Sequence, residues 1–219
     1  MKIINLGEGN SLLNQYVAEL RDVKVQKDSM RFRRNIERIG EIMAYEISKT
    51  LDYSVKSVQT PLGIADASTS DEELVIATVF RAGLPLHAGF LNMFDKADSA
   101  FVSAFRYYKD PEKHIVDVRV EYIATPLLNN KTLMLVDPML ATGESLEMAW
   151  KAFLTKGHPK KLHVAVVIAA MDGVKYLENV FGDEDVTLWC AAVDPCLNEK
   201  KYIVPGLGDA GDLAFGDKL

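Results

Sequence analysis

Three short stretches combine residue types that could handle a phosphorylated ligand. In Leu133–Ser145, LMLVDPMLATGES, an apolar run ends on the single acid Asp137 and unrolls into a small, hydroxyl-bearing turn. Pro138, Met139 and Leu140 lead into Ala141-Thr142-Gly143, whose small side chains let backbone N–H groups approach a ligand closely. Thr142 and Ser145 add hydroxyl donors. A helix beginning near Glu144 would turn its free N–H groups and positive dipole end toward an anion. The arrangement suits a monophosphate with an acid about a ribose away. On these residues alone, a capped helix after a strand is an equally good reading. No GxxxxGK[ST] occurs, so no lysine is set to reach β- and γ-phosphates, which argues against an ordinary P-loop NTPase.

Arg81 follows another apolar run, Leu74–Phe80, and is followed by Ala82-Gly83-Leu84. A guanidinium at a strand end can grip a pyrophosphate oxygen in forked fashion. Taken alone, a strand-end Arg paired with a surface carboxylate is the better reading. The third stretch, Tyr202–Asp212 (YIVPGLGDAGD), has too many glycines for a core strand. It suits a loop that offers its own N–H and C=O groups to a planar ligand. Other chemistry is weaker. His87, His114, His158 and His163 have no metal-ligand spacing, and no Ser–His–Asp or Cys–His set can be argued. Cys190 and Cys196 match no zinc or redox spacing, and Cys190 reads as a reduced core thiol. Arg31, Arg33, Arg34 and Arg38 cluster at the start of a long helix near Glu37, Glu41 and Glu46 and read as a solvated or subunit-contact face.

The elements that must position these groups follow from periodicity. Residues 11–21 read as a short amphipathic helix opened by Ser11, and Ile36, Ile39, Met43, Ile47 and Leu51 mark a longer one as core or interface. Tyr53–Gln59 alternates like a half-buried strand. Leu74–Phe80 suits a central parallel strand, and a helix follows from Pro85 to about Met93. Further strands are expected at 100–105, 116–122, 132–136, 162–169 and 186–191, with helices at 144–156 and 172–180. The polar RYYKDPEKH joins two of these strands as a possible lid. The pattern implies an α/β fold, a mostly parallel twisted sheet covered by helices on both faces. Ligands of such sheets sit beyond the carboxyl ends of the strands. The 219 residues make one domain: a helical N-terminal segment (1–52), an α/β core (53–193) and a C-terminal segment (194–219). A net charge of -6 argues against general nucleic-acid or membrane affinity. With no signal core in MKIINLGEGN and no apolar run long enough for a bilayer, a cytoplasmic location is expected.

DPMLATGES after LMLV resembles the phosphoribosyl diphosphate (PRPP) motif of type I phosphoribosyltransferases. Its single acid is similar to the uracil branch rather than to the purine branches. Phe80–Leu84 resembles that family's strand-end turn, and YIVPGLGDAGD its uracil-binding signature; the resemblance runs from the RFRR segment to the last residues. It implies transfer of the 5-phosphoribosyl group from PRPP to uracil, giving UMP and diphosphate, as in pyrimidine salvage. Two alternatives stand beside it: a sensor of PRPP or UMP without turnover, and a phosphoribosyltransferase for another base. By the resemblance, Asp137, Arg81, Arg106 and Asp209 are catalytic. PRPP contacts Arg81, Arg106, Asp209 and the run Asp137, Pro138, Met139, Leu140, Ala141, Thr142, Gly143, Glu144 and Ser145. Uracil contacts Ile203, Gly208, Asp209 and Ala210. Mg²⁺ is carried mainly by the diphosphate, with no protein ligand assigned. GTP is a possible effector, and a homodimer or homotetramer is expected. The chain departs from the family at Glu144, where Gly is usual, and at Pro85 and His87. Tyr107-Tyr108-Lys109 replaces an acidic segment, and Leu213 stands where a basic residue often follows GDAGD.

Overall fold

Every residue of Thr132–Val136 is buried, and alternate side chains serve opposite cores. Leu133 and Leu135 join one cluster, Met134 and Val136 the other. That is how a continuous apolar run behaves when helices cover both sheet faces. The computed structural model describes residues 1–110, 115–182 and 184–217; side chains within 104–120 lie outside the description.

In chain order the elements are β1 (Lys2–Asn5), α1 (Leu12–Arg21), α2 (Ser29–Ser48), β2 (Ser54–Thr60), β3 (Gly63–Thr69), β4 (Leu74–Phe80) and α3 (Gly83–Met93). Then follow β5 (Asp98–Asp110), β6 (Ile115–Ala124), β7 (Thr132–Val136), β8 (Met139–Leu140), α4 (Glu144–Leu154), β9 (Lys161–Ala170) and α5 (Met171–Phe181). The chain closes with β10 (Val186–Asp194), β11 (Cys196–Leu197), β12 (Ile203–Val204) and α6 (Ala210–Phe215).

The main sheet has the order β1-β10-β9-β7-β4-β5-β6, with β8 beside β9. All these pairs are parallel except β5 with β6. From β4 the chain moves outward to β5 on one side and returns to β7 on the other. The reversal makes β4 and β7 the switch point, where a crevice opens beyond the strand ends. Thr78 Oγ1 donates to the Val136 carbonyl at 3.2 Å and ties the two strands together there.

One face is covered by α1, α2 and α3. Ile36, Ile39, Met43 and Ile47 of α2 are fully buried against Ile76, Met134 and Trp189 of the sheet. The stripe expected to be core or interface is therefore core. Asp28 caps α2 by accepting from the Arg31 N–H at 3.0 Å. The other face packs Leu146 and Phe153 of α4 and Leu177 and Phe181 of α5. Each such fully buried side chain contributes about 1.5–3 kcal/mol relative to exposure.

Three elements differ from expectation. Tyr53–Gln59 is not half-buried: among the described residues β2 pairs only with β3, and Val55 and Val58 stay exposed. The N-terminal segment is not wholly helical, since β1 is the edge strand beside β10. Arg106–Asp110 extends β5 instead of forming a polar connection, with Arg106 opposite Val118; Pro111–His114 lie outside the described residues. Cys190 is buried, which pushes its thiol up to about 12, as a core thiol requires.

Candidate active site at the switch point

The crevice is a cleft of about 580 Å³ that gathers all three stretches. The ends of β4 and β7 contribute Arg81 and Asp137, the turn before α4 contributes Ala141 to Gly143 and Ser145, and the C-terminal segment contributes Ile203 and Gly208 to Ala210. Met139 and Leu140 line it as well. Two of the named residues do not. Pro138 is buried and uses its carbonyl to accept from the Val167 and Ile168 N–H groups at 3.1 and 2.9 Å. Glu144 is exposed and does not line the cleft, so its charge need not oppose an anion within. Arg106 has no described side chain.

Asp137 sits one residue past β7, its backbone N–H donating to Ala165 at 3.1 Å and its Oδ1 accepting from the Met139 N–H at 3.0 Å. Burial pushes its carboxyl up to about 7, and the Met139 hydrogen bond opposes that only in part. A carboxyl so placed gains from any ligand that brings hydroxyl donors or positive charge.

The turn before α4 depends on Gly143, at φ 90. A Cβ there would lie 2.7 Å from Tyr176 Cδ1, so α5 packs directly against the turn. Tyr176 is itself fixed by donating its hydroxyl to Glu147 Oε2 at 2.5 Å. The N-cap residue of α4 is Gly143, which has no side chain to cap the helix. The Thr142 hydroxyl is 3.5 Å from the Glu144 N–H, a long contact.

Arg81 follows the cis Phe80–Arg81 peptide. Its Nη2 bonds Asp212 Oδ1 at 2.8 Å and its Nη1 donates to the Gly216 carbonyl at 3.1 Å. Both sequence readings of Arg81 thus meet: it lines the cleft, and it pairs with a carboxylate from the motif opposite. Asp209 Oδ1 accepts from Gly211 and Asp212 N–H groups at 2.9 and 3.0 Å, which caps α6.

Sequence reasoning did not single out Ser103, Lys200 and Lys201, which line the cleft beside Tyr202. Asn198 shapes Lys200 to Tyr202 into a turn, its Oδ1 accepting from Lys200 and Tyr202 N–H groups at 3.0 Å each. Lys201 takes φ 64 there. The lysines' nearness to YIVPGLGDAGD was the available signal. The four early arginines are each engaged within the chain. Arg31 pairs with Glu19 and Arg34 with Glu37, Arg33 donates to the Ala214 carbonyl, and Arg38 donates to Asn35. His87 packs on Phe101 with ring centroids 5.1 Å apart, as a helix-packing histidine would.

A profile described as Uracil phosphoribosyltransferase matches residues 8–217. The chain belongs to the uracil phosphoribosyltransferase family. A uracil phosphoribosyltransferase of Porphyromonas gingivalis is 55% identical over 219 residues, covering 100% of both chains. One from Thermococcus gammatolerans is 37% identical, covering 97% of this chain and 92% of its own. Among solved structures, the AQ2163 protein of Aquifex aeolicus matches with a TM-score of 0.85 and 30% identity, covering 98% of each chain. A hypoxanthine phosphoribosyltransferase from Staphylococcus aureus matches with a TM-score of 0.50 at 11% identity, covering 86% of this chain and 83% of its own, a likeness of fold alone. Membership of the uracil phosphoribosyltransferase family agrees with the single strand-end acid and the glycine-rich C-terminal loop meeting in one cleft. No helix among the described residues is long and apolar enough to cross a membrane.

Proposed function

We propose that this protein transfers the 5-phosphoribosyl group of PRPP to uracil, yielding UMP and diphosphate. One observation carries the reading: Arg81, Asp137, Ala141 to Gly143, Ser145, Ile203 and Gly208 to Ala210 line one cleft at the sheet's switch point. The turn and the start of α4 hold the 5′-phosphate by backbone N–H and hydroxyl donors. Asp137 accepts from the ribose hydroxyls. The loop reads the acceptor–donor–acceptor edge of uracil with backbone groups at fixed positions, and a wrong base would leave one of them unpaired.

In the reaction the C1′–O bond to diphosphate breaks, uracil N1 bonds to C1′, and the N1 proton is released. Positive charge develops on the sugar and negative charge on the leaving group. Ionised Asp137 favours the first, and Arg81, with Arg106, the second, so catalysis rests on positioning and electrostatics. Arg81 must exchange Asp212 for diphosphate as PRPP binds. Asp209, which caps α6 and lines the cleft, serves both uracil and PRPP in this proposal.

Among the described residues no three His, Cys, Asp or Glu side chains cluster as metal ligands. Mg²⁺ in this proposal belongs to the diphosphate substrate, where it offsets charge, and is not a resident of the chain. The proposal extends to a homodimer or homotetramer and to a GTP effector, both implied by family likeness; light scattering and initial rates with and without GTP test them. The direct test of the activity is incubation with PRPP, Mg²⁺ and uracil. UMP and diphosphate should form in equal amounts. Uracil binding without diphosphate release would overturn the enzyme reading.

A further inference from the structure

The glycine-rich loop is held from behind by side chains that do not touch the cleft. Arg21, the last residue of α1, forks onto Asp194 at the end of β10, with Nη2 2.7 Å from Oδ1 and Nη1 2.9 Å from Oδ2. Asp194 is 5% exposed. Between them they occupy both backbone groups of Gly206: its N–H donates to Asp194 Oδ2 at 2.8 Å, and its carbonyl accepts from Arg21 Nη1 at 3.2 Å. Gln26, just past α1, donates from Nε2 to the Leu207 carbonyl at 3.1 Å and to Leu20 at 2.7 Å. Gly206 has φ 58, and a Cβ would sit 2.2 Å from the Ile203 carbonyl, so the loop doubles back tightly there. The next residues, Gly208 to Ala210, face the cleft, as does Ile203; Arg21, Gln26 and Asp194 do not.

A forked ion pair this secluded adds little net stability over apolar packing, because desolvation offsets the attraction. What it supplies is geometry. Backbone groups can discriminate a base only if their spacing survives the binding of the wrong one. A flexible glycine-rich segment lacks that spacing unless something outside it imposes it.

We propose that Arg21 and Asp194, assisted by Gln26, are positioning residues for base recognition: they fix Gly206 and Leu207 so that Ile203 and Gly208–Ala210 present their backbone groups at set positions. This rests on the reading that the 203–210 loop holds uracil. The pair reaches the loop without lining the phosphoribosyl side of the cleft, so its loss should separate the two substrates.

The test is steady-state kinetics of wild type, Arg21→Lys, Arg21→Met and Gln26→Leu, with circular dichroism and thermal melting to establish folding. Arg21→Met should raise the KM for uracil about tenfold and lower the preference for uracil over cytosine by a similar factor, the equivalent of one well-aligned hydrogen bond. The KM for PRPP should rise by a clearly smaller factor, because Asp209 alone among the loop residues also contacts PRPP. Arg21→Lys keeps the charge but loses the fork, so it should recover part of both losses. A folded Arg21→Met protein with both KM values unchanged, or both raised alike, overturns the proposal. If Arg21→Met does not fold, Gln26→Leu decides: a rise in the uracil KM alone supports the proposal, and no change refutes it. A wild type that makes no UMP sinks the reading of the loop itself, whereas a working wild type with unaltered variants sinks only this inference.

Discussion

Replacing Asp137 by Asn should make the protein more stable and much less active. Burial carries this carboxyl from its ordinary 3.8 to about 7. At about 1.4 kcal/mol per decade, the whole displacement corresponds to ~4 kcal/mol. Asp137 stays partly open to the cleft, and solvent screening reduces the expected gain to ~1–2 kcal/mol. The sign follows from linkage. The folded-state value lies above the unfolded one, so the folded protein binds more protons between about pH 4 and 7, and stability falls as pH rises through that window. Asparagine keeps the shape and an acceptor for the Met139 N–H but carries no charge. Asp137→Asn should therefore melt ~2–8 °C above wild type at pH 8, with the gap closing toward pH 4. Activity should move the other way. Wild-type kcat/KM for PRPP should rise about tenfold per pH unit and level off above about 7, as the carboxylate forms. The variant should lose ~10²–10³ in kcat/KM at pH 8, with a flatter pH profile, so that its deficit shrinks toward pH 5 as wild-type Asp137 protonates. Scanning calorimetry and initial rates from pH 5 to 8 check both. A variant that melts at or below wild type at pH 8, or turns over at wild-type rates, refutes the reasoning.

Other substitutions probe the rest of the cleft. Gly143→Ala places a Cβ at φ 90 and 2.7 Å from Tyr176, and should cost about 1–3 kcal/mol in urea denaturation while raising the KM for PRPP. Glu144→Gly removes an exposed carboxylate outside the cleft lining, so the KM for PRPP should change less than about twofold; a large fall would mean the side chain turns inward when substrate binds. Arg81→Gln breaks a partly exposed pair with Asp212 and should shift stability by less than ~1 kcal/mol. Its kcat/KM should nevertheless fall about a hundredfold or more, read by initial rates beside a thermal melt.

The central strands were legible because β4, β7 and β9 are buried on both faces, and sandwiched strands must be continuously apolar. The α2 stripe was legible for the same reason on a helix. Signals failed where burial did not follow pattern. Val55 and Val58 look like strand residues meant for a core, yet among the described residues β2 pairs only with β3. Lys2–Asn5 is too short to carry a period, and α6 hides among glycines read as loop. In the cleft, strand-end acids and glycine-rich turns announce themselves locally, so Asp137 and the 203–210 loop could be named from sequence. Their partners could not. Arg81 meets Asp212 across 131 positions, and Arg21 meets Asp194 across 173, so no local pattern links them.

The central claim is that three distant segments form one site for the two halves of a nucleotide. A crystal structure with UMP and diphosphate bound tests it most directly. The 5′-phosphate should lie within hydrogen-bonding distance of the Thr142–Ser145 turn, the ribose hydroxyls against Asp137, the diphosphate at Arg81 released from Asp212, and the uracil edge against Ile203 and Gly208–Ala210. UMP bound outside this cleft, or with base and phosphate exchanged, would contradict the account.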